Sequence, residues 1–141
     1  MIRQRFTLPK YDWKVTCYYA VTGYYVDEIM ENLIGIGCRG EDLERADENI
    51  ISGKLDTGLT FSDYHTHRTV MVIALTSSPK EFAQSWRHEM GHLADHIAQV
   101  YGIDPHGEEL QYIGDDIVDK MWEVAKRFLC ERCRKHTFEN Y

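Results

Sequence analysis

No stretch of this sequence stays apolar over the length that a membrane-spanning helix needs, and Met1 to Arg5 lead into no apolar secretion-signal segment. Basic residues are in the minority, because 16 Lys and Arg stand against 23 Asp and Glu, for a net charge of -7. Phosphate backbones attract basic surfaces, so an acidic chain is a poor nucleic-acid binder. We therefore expect a cytoplasmic protein with no nucleic-acid partner and no membrane partner.

Repeats and low-complexity tracts are also absent, and only 4 of the 141 residues are cysteines, which we expect to be reduced thiols. Cys130 and Cys133 have the spacing of half a zinc knuckle, but no second ligand pair accompanies them, so we interpret this segment as a helical tail. A hydrophobic content of 43% predicts one domain over residues 1–141, with an extended arm at 1–10 and a tail at 134–141.

The apolar periodicity predicts an α+β fold. Period-two alternation or short apolar runs predict three strands, at 13–22, 59–61 and 69–75, the last two forming a hairpin. Apolar residues three and four apart predict four helices, at about 26–35, 41–51, 79–101 and 107–129. Together these elements indicate a small mixed sheet packed against helices.

The helix at 79–101 has clear signals at both ends. Ser78-Pro79-Lys80-Glu81 is typical of a capping box with proline at the first helical position, and Gly102 stands where a C-terminal cap is expected. An apolar stripe runs along it for the core, at Phe82, Trp86, Met90, Leu93, Ile97 and Val100. This helix carries the main functional motif of the chain.

That motif is His88-Glu89-x-x-His92. On a helix, His88 and His92 lie about 40° apart around the axis and about 6 Å apart along it, so both imidazoles can reach one ion. Glu89 lies close enough to act on a metal-bound water without competing for the metal. The motif predicts a zinc site with Glu89 as general base, and the opposing interpretation is that both histidines are ordinary packing residues.

A catalytic zinc site commonly has three protein ligands and one open position, so a third ligand is needed. Ala98 stands where the metzincin pattern requires histidine, and His96 lies about 12 Å along the helix from His88. We interpret His96 as a residue that supports a zinc ligand or packs against its neighbours, and His65 and His67 as solvated residues of the hairpin loop. The remaining candidates lie on the next helix: Glu108, Glu109, Asp115 and Asp116.

The motif followed by Glu108-Glu109-x-x-Tyr112-x-Gly114 resembles the gluzincin layout, in which a glutamate on the next helix completes the site. With Thr57-Gly58-Leu59-Thr60 and Val70-Met71-Val72, the chain resembles small HExxH zinc metallopeptidases of gut bacteria and their phages. This resemblance implies a minimal zincin-like fold and a zinc ion held by His88, His92 and Glu108. It also implies that Tyr112, four residues after Glu108, reaches the site, and we keep Glu109 as the rival ligand.

We therefore predict a zinc metallopeptidase that hydrolyses a peptide bond in a peptide or protein substrate. Zinc would activate a water molecule, and Glu89 would take its proton and pass it to the leaving amine. The alternative is a non-catalytic, zinc-stabilised interaction or regulatory protein of a bacterial mobile element or phage. The two hypotheses separate at Glu89, which only the enzyme requires.

Overall fold

A computed structural model describes residues 1–22, 25–52 and 58–129. It contains a sheet of four strands: β1 (Ile2–Leu8), β2 (Trp13–Val21), β3 (Gly58–Asp63) and β4 (Arg68–Ala74). Their spatial order is β1-β2-β4-β3, with β2 and β4 parallel and both outer pairs antiparallel. The predicted mixed sheet and the β3–β4 hairpin are confirmed.

Four helices lie in the described residues: α1 (Val26–Gly35), α2 (Gly40–Ser52), α3 (Pro79–Tyr101) and α4 (Glu108–Ala125). They form two layers, one on each face of the sheet. Both faces carry apolar side chains, because successive side chains of a strand point to opposite faces. Val15, Cys17 and Tyr19 of β2 face a core shared with α3 and α4, whereas Tyr18 faces a second core shared with α1 and α2. The sheet therefore separates the motif helix from the first two helices.

Residues 1–10, predicted as an extended arm, contain the strand β1. The segment is extended, but it pairs with β2 from Ile2 opposite Tyr19 to Leu8 opposite Trp13. Alternate side chains of β1 turn toward the α3–α4 core, and Leu8 is buried there. Gln4 on the same face donates to the Lys120 carbonyl of α4 at 2.8 Å. The sequence did not predict this strand, because polar residues alternate along it and its half-burial depends on packing.

The limits of α3 agree with the prediction. Ser78 Oγ accepts a hydrogen bond from the Glu81 N–H at 3.1 Å, and Gly102 adopts the left-handed conformation at φ 63° that suits a residue without Cβ. The Glu81 carboxylate reaches back to the Ser77 N–H at 3.1 Å, one residue before the position a capping box uses. Local chemistry alone fixes both ends of this helix.

α4 is shorter than predicted, since a 3-10 turn, Lys126–Phe128, follows it. It packs on α3, and the rings of Trp86 and Trp122 lie 6.4 Å apart. The predicted tail at 134–141 and the Cys130–Cys133 pair lie outside the described residues. In the part of the chain that is described, no helix combines the length and apolar character needed to cross a bilayer.

We expect Ser78→Ala to lower the free energy of unfolding by about 1 kcal/mol, because the Glu81 N–H loses its side-chain acceptor at the start of α3. Urea denaturation followed by circular dichroism measures this change. Gln84→Ala, on an exposed position of the same helix, is the matched control and should stay within about 0.5 kcal/mol of wild type. Equal stability of Ser78→Ala and wild type would contradict the capping role.

Candidate metal centre

His88 and His92 converge on the exposed side of α3. Their Nε2 atoms lie 3.1 Å apart, and the two rings are nearly perpendicular, at 89°, with centroids 4.6 Å apart. This arrangement follows from the four-residue spacing, because side chains at i and i+4 of a helix point the same way. The structure thus brings the two predicted ligand nitrogens together.

The spacing of these nitrogens can be compared with the chemistry of zinc. Zinc binds imidazole nitrogen at about 2.0–2.1 Å in a tetrahedral site, which sets two nitrogen ligands about 3.3 Å apart. The observed 3.1 Å fits one ion shared by His88 and His92. The same distance fits a direct hydrogen bond between two neutral imidazoles, in which one Nε2–H donates to the other Nε2. The pair suits zinc without requiring it.

Glu89, the predicted general base, is buried, with 1% of its surface exposed. It accepts a hydrogen bond from Thr60 Oγ1 of β3 at 2.8 Å through Oε1. Burying a carboxylate without hydrogen bonds is costly, so a donor placed on the facing strand stabilises this position. Glu89 therefore has a fixed orientation between α3 and the sheet, while its histidine neighbours face solvent.

His96 packs on the hairpin, in agreement with its interpretation as a packing residue. Its Nδ1 lies 2.7 Å from Ser62 Oγ of β3, and its ring centroid lies 6.4 Å from that of His92. Burial, aided by the nearby His92, lowers the pKa of His96 although Asp95 opposes the shift. His96 is accordingly neutral at pH 7 and contributes a hydrogen bond rather than a charge.

A chain of polar side chains continues from His96 into the core. Ser62 Oγ lies 2.7 Å from Thr69 Oγ1, and Thr69 accepts a hydrogen bond from Trp13 Nε1 at 2.8 Å. These contacts join α3 to three strands of the sheet. Sequence reasoning missed Thr60 and Ser62. The available signal was their two-residue spacing on β3, which places both hydroxyls on the face toward α3.

The two loop histidines have different surroundings. His65 is exposed, as predicted. His67 is half-buried and stacks on the Trp13 ring, with centroids 5.0 Å apart and planes 11° apart. Its backbone is left-handed, at φ 57°, in the turn between β3 and β4. His67 therefore has a packing role that the interpretation as a solvated residue did not include.

The third ligand is not assembled in the structure. Within residues 1–22, 25–52 and 58–129, no group of three His, Cys, Asp or Glu side chains is placed to hold one ion. Glu108 is the first residue of α4, and its Oε1 accepts a hydrogen bond from the Tyr112 hydroxyl at 3.2 Å. The expectation that Tyr112 reaches the metal site stays a prediction. Glu108 as a ligand, with Glu109, Asp115 and Asp116 as rivals, stays a prediction.

Known proteins provide no assignment. The chain matches no family model, no curated protein and no solved structure. The interpretation of the site therefore depends on the two imidazoles, the buried carboxylate beside them and the hydroxyls of β3.

We expect purified wild-type protein to bind zinc, and His88→Ala and His92→Ala to lose it, because each removes one of two converging nitrogens. The affinity for zinc should fall by more than the roughly 100-fold that is lost when a residue hydrogen-bonded to a metal ligand is removed. Metal analysis and competition with a colorimetric chelator measure it. His65→Ala is the matched control, since its imidazole is exposed in the hairpin loop. Zinc binding that survives both motif substitutions would place the ion elsewhere.

We expect Thr60→Val to lower the free energy of unfolding by about 1–3 kcal/mol, because the buried Glu89 carboxylate loses one hydrogen-bond donor. Thr60→Ser is the control, because it keeps the hydroxyl and should recover most of the loss. Chemical denaturation of both variants beside wild type measures the effect. Equal stability of Thr60→Val and Thr60→Ser would show that the hydroxyl contributes little.

Proposed function

We propose that this protein is a zinc-dependent peptidase with a minimal zincin-like arrangement, in which His88, His92 and Glu108 hold the metal and Glu89 is the general base. The observation that carries the proposal is the convergence of the His88 and His92 Nε2 atoms to 3.1 Å. Two imidazoles held this close by one helix form two-thirds of a three-ligand zinc site.

The proposed roles follow from the position of each side chain. Zinc, when bound, supplies a Lewis acid that polarises the substrate carbonyl and activates water. Glu89 follows His88 by one residue, about 100° around the helix. It takes the proton of the water molecule and passes it to the leaving amine. Thr60 holds one oxygen of that carboxylate at 2.8 Å and so fixes its direction. Tyr112, bonded to Glu108, helps to position the third ligand.

The proposed substrate is a peptide in extended conformation. β3 is an edge strand of the sheet, and an edge strand can accept a peptide as an additional strand. A groove of about 380 Å³ runs beside it, lined by β3, by α2 and by His96, which follows His92 by four residues on α3. Half-buried Leu59 and Phe61 give apolar contacts along this strand. These features support a peptide rather than a small polar substrate.

The proposed site of action is the cytoplasm. Cys17 and Cys38 are free and buried, and burial raises the pKa of both thiols, which keeps them protonated. Protonated, buried thiols suit a reducing compartment, where disulfides are rare. A peptidase located there would process proteins of the same cell.

A second candidate is a zinc-stabilised interaction or regulatory protein without catalysis, the kind of protein encoded by a bacterial mobile element or phage. The observation that favours it is the 1% exposure of Glu89, which puts the carboxylate in the layer between α3 and β3. In that role Glu89 anchors the helix to the sheet. Zinc on His88 and His92 would then stabilise the surface of α3.

Glu89→Gln separates the two candidates, because it keeps the size of the side chain and one acceptor oxygen for the Thr60 hydroxyl but removes the base. We expect the variant to bind zinc like wild type and to lose roughly 100- to 10,000-fold in peptide turnover. Cleavage of a diverse peptide library, followed by mass spectrometry, measures turnover. His65→Ala should cleave at the wild-type rate. A zinc-loaded wild type that cleaves no peptide favours the non-catalytic candidate, and equal turnover of both proteins would show that Glu89 is not the general base.

A further inference from the structure

A second concave site lies on the opposite face of the sheet from α3. It has a volume of about 400 Å³ and is bounded by β1, β2, β4 and the end of α1. Three of its lining residues are cations, Arg5, Lys14 and Arg68, and we call the site the cationic pocket. None of the described residues that line it is Asp or Glu. This is a marked exception in a chain of net charge -7.

The three cations are neighbours because of strand register. Lys14 of β2 lies opposite Arg68 of β4, and Arg5 of β1 lies opposite Thr16 of β2. Directly paired residues of adjacent strands lie about 5 Å apart, and like charges in that position destabilise a sheet. The Lys14–Arg68 pair therefore repels unless an anion lies between or beside the two side chains.

No carboxylate forms an ion pair with these three cations in the described part of the chain. Ion pairs within 4.0 Å are present elsewhere in it, and none includes Arg5, Lys14 or Arg68. Arg3 shows the contrast, since it lies two residues before Arg5 on the same face of β1 and pairs with Glu28 at 2.9 Å. The fold thus pairs Arg3 with a carboxylate and leaves Arg5 without an ion pair among the described residues.

Two sources of negative charge lie at the border of the cationic pocket. Asp63 lies opposite Arg68 in the β3–β4 register, and the hydrogen bond that its Oδ1 accepts from the His65 N–H at 2.9 Å leaves it a charged carboxylate. The carbonyls of Asn32 and Leu33 at the end of α1 accept backbone N–H groups of residues 36 and 38. One carboxylate beside three cations leaves the cationic pocket with an excess of positive charge for a ligand.

We propose that the cationic pocket binds a small phosphorylated anion. Two guanidinium groups suit the geometry of phosphate oxygens, and the Lys14 ammonium adds a point charge. The hydroxyls of Thr7 and Thr16 lie on the same wall and provide neutral donors. The pocket is confined to the sheet and one helix end, which suits a small ligand better than a nucleic-acid strand. This site is independent of the proposed zinc chemistry, because the sheet separates them.

The test is calorimetric titration of the full chain with pyrophosphate at low ionic strength. We expect wild type to bind it and Arg5→Gln/Arg68→Gln to bind at least about tenfold more weakly, because two charges of the pocket are removed. Lys10→Gln/Arg45→Gln is the matched control, since it changes the net charge equally with both residues outside the pocket. His88→Ala should bind pyrophosphate like wild type, which keeps this test separate from that of the zinc site.

Four outcomes would overturn the proposal: no binding by wild type, equal weakening in the control, loss of binding in His88→Ala, or tighter binding of a short single-stranded DNA than of pyrophosphate. A thermal melt in phosphate-free, low-salt buffer gives a second measurement. There Arg5→Gln/Arg68→Gln should be at least as stable as wild type, because repulsion between paired cations is reduced. A lower melting temperature would show that these charges stabilise the fold themselves.

Discussion

The hydrogen bond between the buried Glu89 carboxylate and Thr60 is the contact on which the arrangement of the motif depends. An ionisable side chain with 1% exposure is tolerated only where donors face it, and here the donor is on the edge strand β3. This requirement, together with burial of the apolar stripe of α3, sets the rotation of the helix about its own axis. Once Glu89 points to the sheet, helix geometry turns His88 and His92 toward solvent on one side, where both nitrogens can share an ion.

A second contact sets the position of α3 along the sheet. His96 Nδ1 lies 2.7 Å from Ser62 Oγ, two residues after Thr60 on the same face of β3. Seven residues of helix span about 10.5 Å, while two residues of strand span about 7 Å, so two such contacts define one crossing of helix and strand. The two polar contacts thereby set the orientation of α3 on the sheet, whereas the apolar packing of Trp86, Met90 and Leu93 holds the two together. Packing without these hydrogen bonds would leave the orientation of the histidines less defined.

The sequence predicted those features of the fold that depend on residues close together in the chain. Both ends of α3 were predicted from Ser78 and Gly102, because caps are local chemistry. The place of residues 2–8 in the sheet was not predicted, because pairing with β2 depends on residues far along the chain and on burial by α4. For the same reason the sequence left the proposed third ligand open, since the loop between α3 and α4 decides where the carboxylates of α4 lie relative to the histidines. The convergence of His88 and His92 was predictable because one helix carries both.

Strand alternation explains how a negative chain of 141 residues can carry two candidate sites without interference. Arg68 and Thr69 are consecutive in β4 and both border the cationic pocket, yet the Arg68 side chain is exposed, whereas the buried Thr69 hydroxyl belongs to the hydrogen-bonded chain that reaches His96. Adjacent side chains of a strand point to opposite faces, so each site uses the side chains of every second position of the same strands. A charge placed one residue further along would enter the α3–α4 core, where it would have to be desolvated. The register that supports the metal motif therefore also confines the cations to the other face of the sheet.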